Sequence, residues 1–144
     1  MRKQTFAILA AITLQTILPG ATRSRAMLPP PPPDYREVEV STFLDRHNFD
    51  DFSPSAIAAD LLDRGASLEG RQREEISIDY GNNPNDRVVI EHTTIGLPDT
   101  SVRSQRRRIE MMRQPSGWQI LWVGEQYQCQ PRRGHQDWSG ELCS

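Results

Sequence analysis

Cys129, His135, Asp137 and Cys143 lie in one C-terminal stretch, and their side chains are those of thiol nucleophiles, general bases and metal ligands. Cys129 with His135 has the makings of a nucleophile and its base. That chemistry disappears if Cys129 and Cys143, the only cysteines in the chain, are joined to each other. His135-x-Asp137 brings two ligand types close together, but a zinc site takes three or four ligands, and the spacing supplies no others. His135, Asp137 and Trp138 are therefore read as residues that structure the loop, hydrogen-bonded to its backbone. His92 beside Glu91 has acid-base potential only if the fold sets a histidine and a carboxylate in one pocket. The run Asp45-Arg46-His47-Asn48-Phe49-Asp50-Asp51 is rich in oxygen ligands, yet it lacks the glycine and the distal glutamate of a calcium loop. No catalytic residue, metal site or cofactor is assigned on these grounds.

Arg103, Arg106, Arg107, Arg108 and Arg113 form the one concentrated positive feature, and guanidinium groups suit carboxylate or phosphate partners. On a strand the triplet divides between faces, Arg106 and Arg108 on one, Arg107 with Gln105, Ile109 and Met111 on the other. Glu75, Asp79 and Glu91 are expected to answer these charges from neighbouring strands. A curved sheet would give Arg107, Gln105 and Trp122 a concave face on which to line a site for a small apolar or anionic ligand.

These residues need elements to hold them. Ser53 is a good helix N-cap, Pro54 suits the first helical position, and Ile57, Ala58, Leu61 and Leu62 make an apolar stripe before Gly65, so a helix is expected over 54–64. From Glu74 the period changes to two. Strands are expected over 74–80, 87–95, 102–113 and 118–127, separated by turns rich in Gly, Pro, Asn and Asp. In the last strand Trp118, Ile120 and Trp122 fall on one face and Leu121, Val123 and Tyr127 on the other, which suggests the centre of the sheet. Glu37 to Val40 alternates for only two periods and suits either a short strand or a short helix capped by Ser41. The expected fold is α+β: one or two N-terminal helices on a four-stranded antiparallel, curved sheet of the cystatin-like or NTF2-like kind, closed by a C-terminal disulfide loop.

The N-terminus has the layout of a secretory signal, with Arg2 and Lys3 ahead of the apolar run Phe6 to Leu18 and small residues for cleavage at Ala21 or, by preference, Ala26. The run is too short for a good membrane span, which needs about 20 apolar residues, and no later segment could span. Residues 1–26 are expected to be removed, 27–36 to form a proline-rich linker built on Pro29 to Pro33, and 37–144 to make a single small domain. Four of the 17 basic residues and none of the 19 acids lie in the leader, so the exported chain carries 13 against 19. Such an acidic domain is poorly suited to nucleic acid. In an oxidising compartment two lone cysteines pair, and the 129–143 bridge would close a loop of the size for which the stabilisation is about 3 kcal/mol.

Gly96-Leu97-Pro98-Asp99-Thr100-Ser101-Val102, Gly117-Trp118 and the segment from Cys129-Gln130-Pro131 through Gly134-His135-Gln136-Asp137-Trp138-Ser139 to Cys143 resemble a group of small exported bacterial proteins of unknown function. The similarity covers roughly residues 70–143. Where those relatives read Gly-Arg-Gly-His, this chain has Arg132-Arg133-Gly134-His135, so the turn there differs. The resemblance implies an exported, disulfide-closed domain with an NTF2-like or cystatin-like sheet, and it brings no catalytic residues. The functional expectation is a periplasmic or secreted, non-enzymatic domain that binds a protein partner or a small ligand. The alternatives are an NTF2-like enzyme using histidine and carboxylate, and a structural or inhibitor-like envelope protein.

Overall fold

The computed structural model describes residues 32–47, 49–64, 72–82 and 87–144. The expected leader, most of the proline run and the Gly65 helix stop lie outside these residues. The elements run β1 (Arg36–Val38), α1 (Val40–His47), α2 (Pro54–Arg64), β2 (Arg73–Asp79), β3 (Arg87–Ile95), β4 (Val102–Gln114) and β5 (Gly117–Cys129). The strands form one antiparallel sheet in the order β1-β5-β4-β3-β2.

This corrects the expected four-stranded sheet beneath N-terminal helices. The sheet has five strands, and the helices are short, 8 and 11 residues. The added strand is the segment whose two periods suited either structure. It is strand through Val38, where Glu37 pairs with Gly124 and Val38 with Val123, and helix from Val40. Three residues are too few for periodicity to reveal, and the partner that makes them a strand lies some 85 residues away in sequence. Because β1 covers one edge of β5, the central strand is β4, not β5. The domain accordingly begins within the expected linker, as Tyr35 packs edge-on to Trp122 at 5.7 Å and Arg36 already pairs with Glu125.

α2 starts as its sequence indicates. The Ser53 Oγ accepts the Ala56 N–H at 3.3 Å, and the Ser53 carbonyl takes the Ile57 N–H. Its inner face buries Ile57, Ala58 and Leu61, while Leu62 is left exposed. With Phe43 of α1 these side chains pack on Val88, Ile90, Ile109, Met111, Ile120 and Val123. Both helices thus lie on one face, and among the described residues no helix covers the other. None of the helices described is long and apolar enough to cross a membrane.

Two β-bulges adjust this sheet. Glu110 pairs with Trp122 but Met111 with Ile120, so Leu121 is an extra residue that reverses the parity of β5. Ile120 and Val123 therefore share the core face, and Trp122 turns to the opposite one. There its indole lies across Gly124, where an added Cβ would sit 2.2 Å from the ring. The second bulge, between Val102 and Ser104, makes Arg103 the extra residue of β4.

Candidate functional site

On the helix-free face, the strand register puts Ile95, Ser104 and Gln128 in one row across β3, β4 and β5. They floor a groove of about 370 Å³ that is completed by Gln72, Gly96, Leu97, Arg103 and Gln130. The Arg103 bulge is held by its carbonyl, which accepts the N–H groups of Gly96 at 3.0 Å and Leu97 at 2.9 Å. Gly96 has φ +74°, and a Cβ there would meet the Gln72 side chain at 2.6 Å, so only glycine lets Gln72 close that end of the groove. Gln130 is fixed twice, by its N–H to the Ser101 carbonyl at 2.7 Å and by its Nε2 to the Asp99 carbonyl at 3.0 Å. The Asp99 carboxylate accepts the Val102 and Ser101 N–H groups, which hold it below the usual carboxylate range and order the turn.

Two features distinguish this groove. Ser104 is fully buried, yet its hydroxyl has no hydrogen-bond partner among the described residues. Arg103 is half-buried and has no acidic partner among them. Three other surface grooves all carry carboxylates: Asp79 in one, Glu74, Glu75 and Glu91 in the next, Asp50, Asp51 and Asp60 in the third. The Arg103 groove is lined by a cation and amides without any acid.

The helix-side face holds a different polar set, in which the register aligns His92, Arg107, Glu125 and Arg36 across four strands. Arg107 donates to the Glu125 carboxylate through Nε at 3.0 Å and Nη2 at 2.7 Å, and the Tyr127 hydroxyl donates to its other oxygen at 2.6 Å. Burial alone would raise the Glu125 carboxyl, but the Arg107 charge and the Tyr127 hydrogen bond bring it below the usual range. Burial, and then the bond to Glu125, push the Tyr127 hydroxyl well above the ordinary tyrosine range. His92 Nε2 lies 2.8 Å from Glu74 and is buried. Of the expected lining residues, Arg107 and Gln105 share this helix-side face, and the bulge sends Trp122 to the other. Arg107 is already neutralised by Glu125. Glu91 faces away from His92 and is bound by Arg108 and Tyr35. On the same helix-free face Arg87 and Arg108 share Glu110, which is how the strand charges are answered.

Cys129 and Cys143 are joined, with Cα atoms 5.4 Å apart. His135 Nδ1 faces the Asp137 carbonyl at 2.9 Å and Nε2 the Glu141 carbonyl at 3.0 Å. Carbonyls only accept, so both bonds form together only when both nitrogens carry protons. The Asp137 and Glu141 carbonyls accordingly raise the imidazole above its ordinary value. Ser139 exchanges two backbone hydrogen bonds with Tyr127, Trp138 stacks under the Arg106 guanidinium at 4.4 Å, and Gly140 lies against the backbone of Tyr35 and Arg36. The two sulfurs and a His135 nitrogen fall within 4.8 Å of one another. A disulfide offers no thiolate and both imidazole nitrogens face carbonyls, so this set does not suit a metal.

Gln72, Ser104 and Gln128 carry no sequence signal, and Gln130 is marked only as part of the Cys129-Gln130-Pro131 segment. Arg103 was visible only as a member of the arginine cluster, because a bulge that isolates one of its members has no local signature. Comparison of the chain with known protein families, curated proteins and solved structures gives no match.

Proposed function

We propose that this chain is an exported, non-enzymatic domain that binds a small polar ligand in the groove formed by Gln72, Arg103, Ser104, Gln128 and Gln130. The observation that carries this reading is the buried Ser104 hydroxyl, which among the described residues has no partner and lies beside an arginine with no acid. Burying a hydroxyl unpaired costs about 1–3 kcal/mol, a cost that a ligand able to bond it would remove. Binding is favoured over catalysis because the described residues of the lining include no histidine, carboxylate or lysine to activate Ser104 as a nucleophile. Export is supported by the leader layout, by the disulfide and by the resemblance of the C-terminal loop to small exported bacterial proteins.

The test is a fragment screen on isotope-labelled protein read by amide chemical shifts. Hits should move the amides of Gly96, Arg103, Ser104, Gln128 and Gln130. Hits that cluster instead around Arg107 and Gln105 would overturn the assignment. Mass spectrometry of the protein recovered from the envelope should place the mature N-terminus after Ala26 or Ala21. An intact Met1 would contradict export by cleavage.

A further inference from the structure

We propose that the ligand of this groove is a hydroxylated monocarboxylate, its carboxylate on the Arg103 guanidinium and its hydroxyls on Ser104, Gln128 and Gln130. The proposal rests on the groove being the binding site. Charge sets the first condition. A half-buried guanidinium with no acid beside it among the described residues is matched by an anion, and a carboxylate fits its planar fork with two parallel bonds. The count of charges sets the second. Among the described residues that line the groove Arg103 is the only charged one, so one negative charge is balanced and the second charge of a phosphate monoester is not. The same lining disfavours zwitterions and amines, since none of its described residues is a carboxylate that could meet an ammonium group. Asp99, in the adjoining turn, already accepts two backbone N–H groups.

The remaining polar atoms describe the rest of the molecule. The Ser104 hydroxyl can both donate and accept. Gln130 donates its Nε2 to the Asp99 carbonyl, which leaves its Oε1 to accept an O–H. Gln128, level with Ser104 on the next strand, adds an amide that both donates and accepts. Ile95 and Leu97 supply the apolar lining, enough to contact a short carbon backbone. A carboxylate carrying several hydroxyls satisfies every one of these groups; a bare fatty acid would leave the amides and Ser104 unpaired.

The experiment compares four hexose derivatives that differ chiefly in charge: D-glucuronate, D-glucose, D-glucosamine and D-glucose 6-phosphate. Each is titrated into the folded, oxidised protein while amide shifts are recorded. Glucuronate should bind most tightly, by about tenfold over glucose, as expected for one charge-assisted pair. Arg103→Gln should close the gap between glucuronate and glucose, and Ser104→Ala should weaken both. If the phosphate binds more tightly than glucuronate, or glucosamine as tightly, the ligand class is overturned while the groove stands. If no member of the panel moves the groove amides at millimolar concentration, the groove itself is overturned as a binding site. Each variant's amide dispersion reports folding, and the wild-type ranking decides the charge class without any variant.

Discussion

The Gly96 N–H donates to the Arg103 carbonyl at 3.0 Å, and this bond links the β3–β4 turn to the bulge that gives the groove its cation. The positive φ of Gly96 and the close approach of Gln72 make the position sensitive. Gly96→Ala should cost about 1–2 kcal/mol, from a residue forced into the left-handed region together with displacement of Gln72. Urea unfolding measures the loss. A variant as stable as the parent would mean that the turn relaxes freely and does not hold the bulge.

Arg107→Met should be more damaging, because it leaves the Glu125 carboxylate buried without its cation. We expect about 2–4 kcal/mol, below the fully buried case since the Arg107 side chain keeps some exposure. Replacing both residues, Arg107→Met with Glu125→Leu, should recover much of that stability. The folded pKa of Glu125 is depressed, so its contribution is present above the unfolded carboxyl value, about 4.3, and is lost as pH falls through the lower folded value. Denaturant midpoints of the wild type and the double variant, followed from neutral pH downward, should converge. Parallel curves would remove Glu125 from the acid response.

His135 predicts the opposite dependence. Its folded pKa is raised, so the stability it contributes is fully present below the unfolded value of about 6.5 and is lost as pH rises through the folded value. An NMR titration of the ring should give a midpoint above about 6.5, with the protection of the Ser144 and Ser139 amides, relative to their intrinsic exchange rates, falling on the alkaline side. A midpoint at or below the ordinary histidine value would contradict the paired carbonyl bonds.

Much of the fold was legible in residue types, and the departures have identifiable causes. The cap Ser53, the Pro54 start and the stripe Ile57, Ala58 and Leu61 indicate α2 because they satisfy helix termini and burial locally. The Arg106/Arg107 division between faces follows from the period of two, and it holds because no bulge falls between Ser104 and Glu110. Alternation alone puts Trp122 with Ile120, but Leu121 shifts the parity of everything after it, and an inserted residue leaves no mark on composition. β1 has no signature of its own as a fifth strand, because its three residues become a strand only through β5. The candidate site was the least legible part. Ser104 is an ordinary serine until a register with Ile95 and Gln128 buries it, and Arg103 separates from its neighbours only by bulging.

The disulfide predicts a coupled effect. Gln128 and Gln130 flank Cys129, so opening the bridge loosens two groove residues as well as the loop. Cys143→Ser should cost about 3 kcal/mol and speed exchange of the Gln130 amide, which is bonded to Ser101. A large stability loss with Gln130 exchange unchanged would separate the loop from the groove.

In the proposed function Ser104 is kept for a ligand at the expense of the empty fold. Chemical denaturation of Ser104→Ala without ligand tests it most directly. Removing an unpaired buried hydroxyl should leave the protein as stable as the parent or more stable, by up to the cost of its burial, about 1–3 kcal/mol. A variant destabilised by about 1 kcal/mol or more would show that the hydroxyl serves the fold, and the groove would lose the residue on which its assignment rests.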